Sequence, residues 1–275
     1  MPRKIDDYYY DAKDKDWKAA STDIFSGASR WRVWLDMSVR QFRNRYLGTI
    51  IGPFWLTFTT LMTTLGLGIL YGKLFGAPLK THLPYVCVAL VVWSQVTGLL
   101  TNGASVFVNN KNTIQEYPLP YSFYAFKLLT SQFIAFGFRV LVLLGLFLVL
   151  QVPVTLLSSL AFIGLFLIFW IGFWSTLCLG ILCTRYRYLS ELITASMTFI
   201  FFVTPIFWYP DRLGEFAFIA NYNPFYHLIE IVRSPLLGRP GIGLNYAVAC
   251  GIAIIVCPLG FYLLGRYRHR LIYWF

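Results

Sequence analysis

Between residues 30 and 46 the apolar positions Trp31, Trp34, Leu35, Val39, Phe42 and Tyr46 recur at steps of three and four. On a helix they share one face, while Arg30, Arg32, Asp36, Arg40, Arg43 and Arg45 take the remaining circumference. Such a helix lies in a lipid headgroup layer, aromatic side down and arginines toward anionic lipid. A half-buried helix of a soluble domain carries the same pattern, but the next element leaves little room for a separate core. That element is an unbroken apolar stretch, residues 50–71. Five more stretches of membrane length follow, at about residues 84–108, 127–150, 154–183, 190–209 and 244–265. A hydrocarbon core about 30 Å thick needs about 20 apolar residues, so each is read as a span. The fourth is long enough to require tilt or a projecting end. The pattern therefore predicts an all-α integral membrane protein. Residues 1–29 form a cytoplasmic tail around Tyr8, Tyr9 and Tyr10, and residues 30–275 form a single transmembrane domain.

Composition agrees with this reading. Of the 275 residues 57% are hydrophobic and 13% charged, with a mean hydropathy of +0.61. A soluble chain carries about twice that charged fraction. Six spans place both termini on one side, and the distribution of Lys and Arg chooses it. With the N-terminus in the cytoplasm, 17 of the 23 Lys and Arg fall inside, 5 fall outside, and Arg139 lies within a span. The net charge of +11 is thus read as orientation rather than as a nucleic-acid surface. The first 24 residues show no apolar core of a cleavable signal. The five cysteines all lie in apolar stretches and form neither a disulfide framework nor a zinc spacing.

Several polar features interrupt the apolar pattern. Ser94, Gln95, Thr97, Thr101 and Asn102 fall in the second span, where they serve either as glue between helices or as a channel lining. Between the second and third spans, Thr113, Ile114, Gln115 and Glu116 fit a capping box, and Pro118 and Pro120 stop the helix soon after. A short cytoplasmic helix of this kind is a handle for a partner or an inert connection. Arg139, about a dozen residues into the third span, requires a partner or a wet cavity. Between residues 210 and 243 lie two apolar pieces, Leu213–Ala220 and Pro224–Val232, too short to cross. Asn223 and Pro224 read as an N-cap and first helical residue, and Pro235 reads as the stop. This is a re-entrant hairpin on the outer side, placed to shape or close an exit.

Catalytic patterns are missing. No Asp occurs between Asp36 and Asp211, which removes the paired aspartates of metal-dependent glycosyl or prenyl transferases. His82, His227 and His269 are scattered, and the chain contains no H-E-x-x-H, G-x-S-x-G or G-x-x-x-x-G-K-[ST] pattern. Energy for any work must come from elsewhere. Coupling to an ion gradient is poorly supported, since Glu191 is the only acidic residue clearly near a span.

The order of parts resembles the membrane subunits of polysaccharide-exporting ABC transporters, which move O-antigen, capsule or teichoic-acid chains. The resemblance covers nearly the whole chain. It rests on Arg45-Tyr-Leu-Gly-Thr-Ile-Ile-Gly-Pro-Phe-Trp55 entering the first span and Thr204-Pro-Ile-Phe-Trp-Tyr209 closing the fifth. The third piece is Asn223-Pro-Phe-Tyr-His-Leu-Ile-Glu-Ile-Val-Arg-Ser-Pro-Leu-Leu-Gly238 in the outer hairpin. Arg185-Tyr-Arg-Tyr188 resembles the family's basic turn after the fourth span, with Tyr188 where Asp is expected.

The resemblance implies a homodimer in the bacterial inner membrane, bound to two cytoplasmic ATPase subunits that hold ATP and Mg, with no cofactor in this chain. It implies a glycan linked to undecaprenyl diphosphate as cargo. Arg40, Arg43, Arg45, Lys127, Arg185 and Arg187 would then ring the cytoplasmic mouth and capture the diphosphate, or serve orientation alone. Candidate channel and gate residues are Arg139, Phe133, Phe136, Trp174, Phe199 and Phe202, with Tyr226, Glu230 and Arg233 in the outer hairpin. Asn112, Thr113, Ile114, Gln115 and Glu116 would meet the ATPase. Export of a drug or lipid by the same architecture is the alternative, and a membrane enzyme acting on lipid-linked sugars is a more distant one.

Overall fold

The computed structural model describes residues 17–211, 214, 218–239 and 241–275. Tyr8, Tyr9 and Tyr10, Arg212, and residues 213 and 215–217 of the first short apolar piece lie outside them. The described residues form helices and turns with no strand. The elements are α1 (Trp17–Ser29), α2 (Trp31–Arg45), α3 (Phe54–Leu74), α4 (Leu79–Ala104), α5 (Val106–Asn109), α6 (Lys111–Glu116), α7 (Tyr121–Leu150) and α8 (Leu160–Arg185). They continue with α9 (Tyr188–Val203), α10 (Phe218–Tyr222), α11 (Pro224–Leu237) and α12 (Ile242–Tyr267).

Among the described residues five helices are long and apolar enough to cross a membrane: α3, α4, α7, α12, and α8 with the turn that leads into it. The expected fifth span is shorter. The stretch read as 190–209 is helical only to Val203, giving α9 16 residues, or about 24 Å. Pro205 explains the stop, because it holds the preceding residue out of the helical region. Thr204 is accordingly extended, at φ −88° and ψ 136°.

Helix α4 is the axis of the bundle. Of its apolar window 78% is buried, against 11% for α3, so α4 is surrounded by protein while α3 keeps most of its surface free for lipid or a partner. The free α3 tolerates its threonines because Thr59, Thr60 and Thr63 return their hydroxyls to carbonyls of the preceding turn. Around α4 the core has two layers. A distal layer joins Tyr85, Val88, Val92, Trp93, Ile168, Ile206 and Ile229. A basal layer joins Ala20, Phe107, Ile114, Phe123, Leu177, Leu264 and Leu271, so both described ends of the chain pack at the basal end.

The tail expected over residues 1–29 is, in its described part, the packed helix α1. Asp23 is 3% exposed and caps α7 from outside it. Its carboxylate accepts from the backbone N–H of Tyr121 at 3.1 Å and of Ser122 at 2.9 Å, two of the amides a helix start leaves unpaired. Helix α2 also differs from a plain interfacial helix. Trp34 stacks on Phe126 at 5.7 Å, Phe42 stacks on Phe138 at 5.8 Å, and the Ser38 hydroxyl donates to the carbonyl of Lys127 at 2.8 Å. Trp31, Leu35 and Val39 stay exposed. The apolar face is thus divided, one strip fastened to α7 and the other left for the headgroup layer.

The hairpin also departs from expectation at Pro235. Asn223 caps α11 as its sequence predicts, accepting from the N–H of Phe225 at 2.9 Å. Pro235 does not end the helix, which runs on to Leu237 and stops at Gly238 in the left-handed region, φ +62°. A proline inside a helix frees the carbonyl four residues back, here that of Ile231. The Tyr246 hydroxyl of α12 donates to that carbonyl at 3.0 Å and to the carbonyl of Leu160 at 2.5 Å. Gly164 of α8 admits the same strand of backbone, since a Cβ there would lie 2.5 Å from the Ile231 oxygen.

Two changes test this junction. Tyr246→Phe removes the shared hydroxyl donor, leaving the Ile231 carbonyl without a partner, and should cost about 1–3 kcal/mol in unfolding measured in detergent. Gly164→Val forces backbone apart and should cost more than Tyr246→Phe.

Candidate functional site

The most completely buried polar cluster lies where α11 meets α4 and the irregular segment 204–209. Arg233 is 0% and Glu230 2% exposed. Their (i, i+3) spacing puts them on one face of α11, and the Arg233 Nε donates to the carboxylate at 2.9 Å. The Arg233 Nη2 forms a second contact to the same carboxylate oxygen, and the Ser234 hydroxyl donates to the other oxygen. The Arg233 Nη1 donates to the carbonyl of Pro205 at 2.8 Å, and the guanidinium carbon sits 3.8 Å from the centre of the Tyr85 ring. The Tyr85 hydroxyl donates to the carbonyl of Trp208 at 3.0 Å. Together these donors satisfy backbone that the break at Pro205 leaves outside any helix. The carboxyl of Glu230, outside the spanning helices, is held below the usual carboxylate range. Burial pushes it upward, and the Arg233 charge with its hydrogen bonds outweighs that. Tyr226, the third outer-hairpin residue expected at a gate, is half-buried beside this pair.

At the basal end, the six cations expected around one mouth are divided. Arg45 and Lys127 line one cleft of about 60 Å³ with Gln41, Asn102, Asn109, Asn110 and Gln132. Lys127 is 9% exposed, and its ammonium donates to the Asn110 side chain at 2.9 Å. Arg185 lines a separate cleft of about 430 Å³ with Tyr186, Tyr267, Arg270 and Trp274, its guanidinium 5.5 Å from the Trp274 ring. Arg40 pairs with Asp36 at 2.8 Å on the exposed side of α2. Arg43 and Arg187 are exposed.

The polar residues of the second span divide: Gln95 is enclosed in protein, Ser94, Thr97 and Thr101 are half-buried, and Asn102 lines the basal cleft. Gln95 is 0% exposed, and Asn102 donates to the carbonyl of Gly98 within its own helix. Arg139 is not at mid-span. The Thr57 hydroxyl, one turn from the start of α3, donates to the carbonyl of Phe138 at 2.8 Å, so Arg139 stands level with the basal end of the first span. Its Nη1 is buried with no hydrogen-bond partner among the described residues.

The aromatic channel candidates separate in the same way. Phe136 and Trp174 are core residues at 8% and 7% exposure, whereas Phe133, Phe199 and Phe202 remain exposed on faces of α7 and α9. On α6, Asn112, Gln115 and Glu116 are exposed, Thr113 is half-buried and Ile114 is buried in the basal core. Ile114 is therefore packing rather than a docking residue. The capping box also fails: the cap is Asn110, with no side-chain bond, because α6 begins at Lys111 and leaves Thr113 inside the helix. Among the described residues no group of three metal-ligating side chains comes together.

Tyr85 and Asp23 were missed by sequence reading. An aromatic in an apolar run and an acid in a charged tail carry no local signal of their partners.

A bundle of apolar helices around one buried axis, with irregular backbone kept at one end by a buried charge pair, defines a multi-pass membrane protein. Residues 34–237 match the family model for ABC-2 type transporters. That is well over half of the chain, and the protein belongs to this family. A comparison with curated proteins finds no match. Membership makes the chain the membrane component of an ABC-type exporter rather than a catalytic enzyme, with ATPase subunits and membrane lipid as implied partners.

The Glu230–Arg233 pair makes two checks. Arg233→Met alone leaves a buried carboxylate uncompensated and should cost about 3–5 kcal/mol, whereas the double change with Glu230→Leu should recover much of that. Thermal unfolding of the four forms measures the coupling. Because the folded carboxyl titrates below its unfolded value, its stabilisation is complete above the ordinary carboxylate range. It should disappear as pH falls through the lowered value, and unfolding scans down a pH series check this.

Proposed function

We propose that this permease carries a lipid-linked polysaccharide, in the first place an O-antigen destined for lipopolysaccharide, from the cytoplasm to the outer face of a bacterial inner membrane. The reading places both termini in the cytoplasm, residues 30–275 in one permease domain, two copies of the chain in a dimer, and ATP with Mg in two separate ATPase subunits. Undecaprenyl diphosphate is the carrier of the glycan. The observation that supports it most is the basal cleft in which Arg45 and Lys127 meet a ring of amide side chains, with Arg43 exposed on the same helix as Arg45. Arginine offers a fork to phosphate oxygens, and amides complete their hydrogen bonding. The exposed rings Phe133, Phe199 and Phe202 add apolar faces suited to sugar C–H groups. A drug or lipid exporter shares the architecture, and a need for a diphosphate separates the two.

Arg43→Gln with Arg45→Gln should leave an inserted protein that accumulates lipid-linked polymer in the cytoplasm, with capture reduced roughly tenfold. Arg→Lys at both should restore export only in part, because lysine keeps the charge and loses the fork. Surface polysaccharide beside a topology reporter in the same cells is the measurement, and full rescue by lysine would leave the arginines an orienting role alone.

Cysteines at Gln115 and on the ATPase should cross-link. Ile114→Cys should not, and Ile114→Ala should cost about 2–5 kcal/mol as a core truncation. The purified chain without its ATPase should show background ATP hydrolysis only.

A further inference from the structure

A second cavity, of about 480 Å³, opens at the distal end, far from the basal cations. Its polar wall is made by Lys80, Thr81, Tyr85, Gln151 and Arg239, and its apolar wall by Leu150, Val152 and Leu237. The charge of this wall is unbalanced. Glu230 is committed to Arg233, and among the described residues neither Lys80 nor Arg239 pairs with a carboxylate. Arg239 is instead held by rings, its guanidinium carbon 4.7 Å from the centre of Tyr85 and 5.3 Å from that of Tyr209. Tyr85 thus faces two guanidinium groups, one bonded to Glu230 and the other held by rings. Gln151, on the same wall, is the one described non-glycine residue in the left-handed region, φ +51°. A glycine would take that backbone without strain, and the chain keeps an amide side chain there.

We propose that this cavity binds the phosphate headgroup of an anionic lipid, with Lys80 and Arg239 on the phosphate and the Leu150, Val152 and Leu237 wall against the first part of the acyl chains. Among the described residues neither cation is ion-paired, and the one carboxylate that acts on Arg239, Glu230, is already bonded to Arg233, so the excess of positive charge favours an anion. A guanidinium fixed against aromatic rings presents its fork with little ordering left to lose. An apolar wall opposite that charge selects an amphiphile over a free ion. The site owes nothing to the basal clefts, so it stands whether or not those capture a diphosphate.

The test is native mass spectrometry of the full-length chain in detergent, exchanged with phosphatidylglycerol or with phosphatidylcholine. Wild-type protein should retain phosphatidylglycerol preferentially. Lys80→Gln with Arg239→Gln should reduce that retention roughly tenfold. Lys73→Gln, a change of an exposed cation outside the cavity, should not. Lys80→Gln alone removes an exposed side chain that no hydrogen bond ties to the described residues, so it decides the matter if the double variant fails to fold. Its expected loss is severalfold. Retention unchanged in the Lys80 variant, or lost equally in the Lys73 variant, would overturn the site. Complete displacement of the lipid by excess inorganic phosphate would overturn the amphiphile in favour of a free anion.

Discussion

The distal half of this protein depends on one guanidinium. The chain breaks helix at Pro205 and runs irregularly to Tyr209, where carbonyls in an apolar setting need donors they cannot obtain from a helical ladder. Arg233 reaches the carbonyl of Pro205, Tyr85 reaches that of Trp208, and Glu230 with Ser234 keeps the arginine in place. A buried pair of this sort is weak evidence for added stability, since desolvation offsets much of the attraction. Its value lies in specificity: only one seating of α11 against α4 lets all of these groups find their partners. Moving α11 would leave carbonyls and a charge without partners at once, so the junction resists small displacements.

The same accounting of backbone groups governs the other contacts that join distant parts of the chain. Pro235 frees the carbonyl of Ile231, and Tyr246 supplies the hydroxyl that α11 cannot. The start of α7 needs acceptors for its first amides, and Asp23 supplies them from α1. Ser38 fastens α2 to α7 by a carbonyl bond. Between apolar helices in lipid, burial gives little preference for one partner over another. These few polar contacts fix which helices meet and at what level.

The consequence for transport is a division of labour between the two ends. Basal elements present cations and amides on exposed or shallow surfaces, held by α1, α2 and α6 packed on the foot of α7 and α8. Distal elements bury the Glu230–Arg233 pair and turn Lys80 and Arg239 toward an open cavity. Between them α4 is too enclosed to line a path within one subunit, and the largely free α3 and the exposed rings of α9 are the surfaces left for a second chain or for cargo.

Sequence alone determined the membrane class and the positions of five spans, and it marked the short helix α11, because hydrophobic period and span length are local properties of the chain. Asn223 with Pro224 marked the start of α11 for the same reason. Where a stop depends on partners, sequence reading failed. Pro235 sits inside α11 because Tyr246, 11 residues on and in another helix, satisfies the carbonyl it frees. Pro205 does end α9, because its backbone restriction acts on its neighbour Thr204, although the length of the apolar run concealed it. The candidate cations were legible as charges but not as neighbours. The tertiary structure put Arg45 with Lys127, sent Arg185 to another cleft, and placed Arg139 level with the start of α3. Which side chains share a cleft depends on the relative heights of helices, and those heights are set by hydrogen bonds between residues as far apart as Thr57 and Phe138.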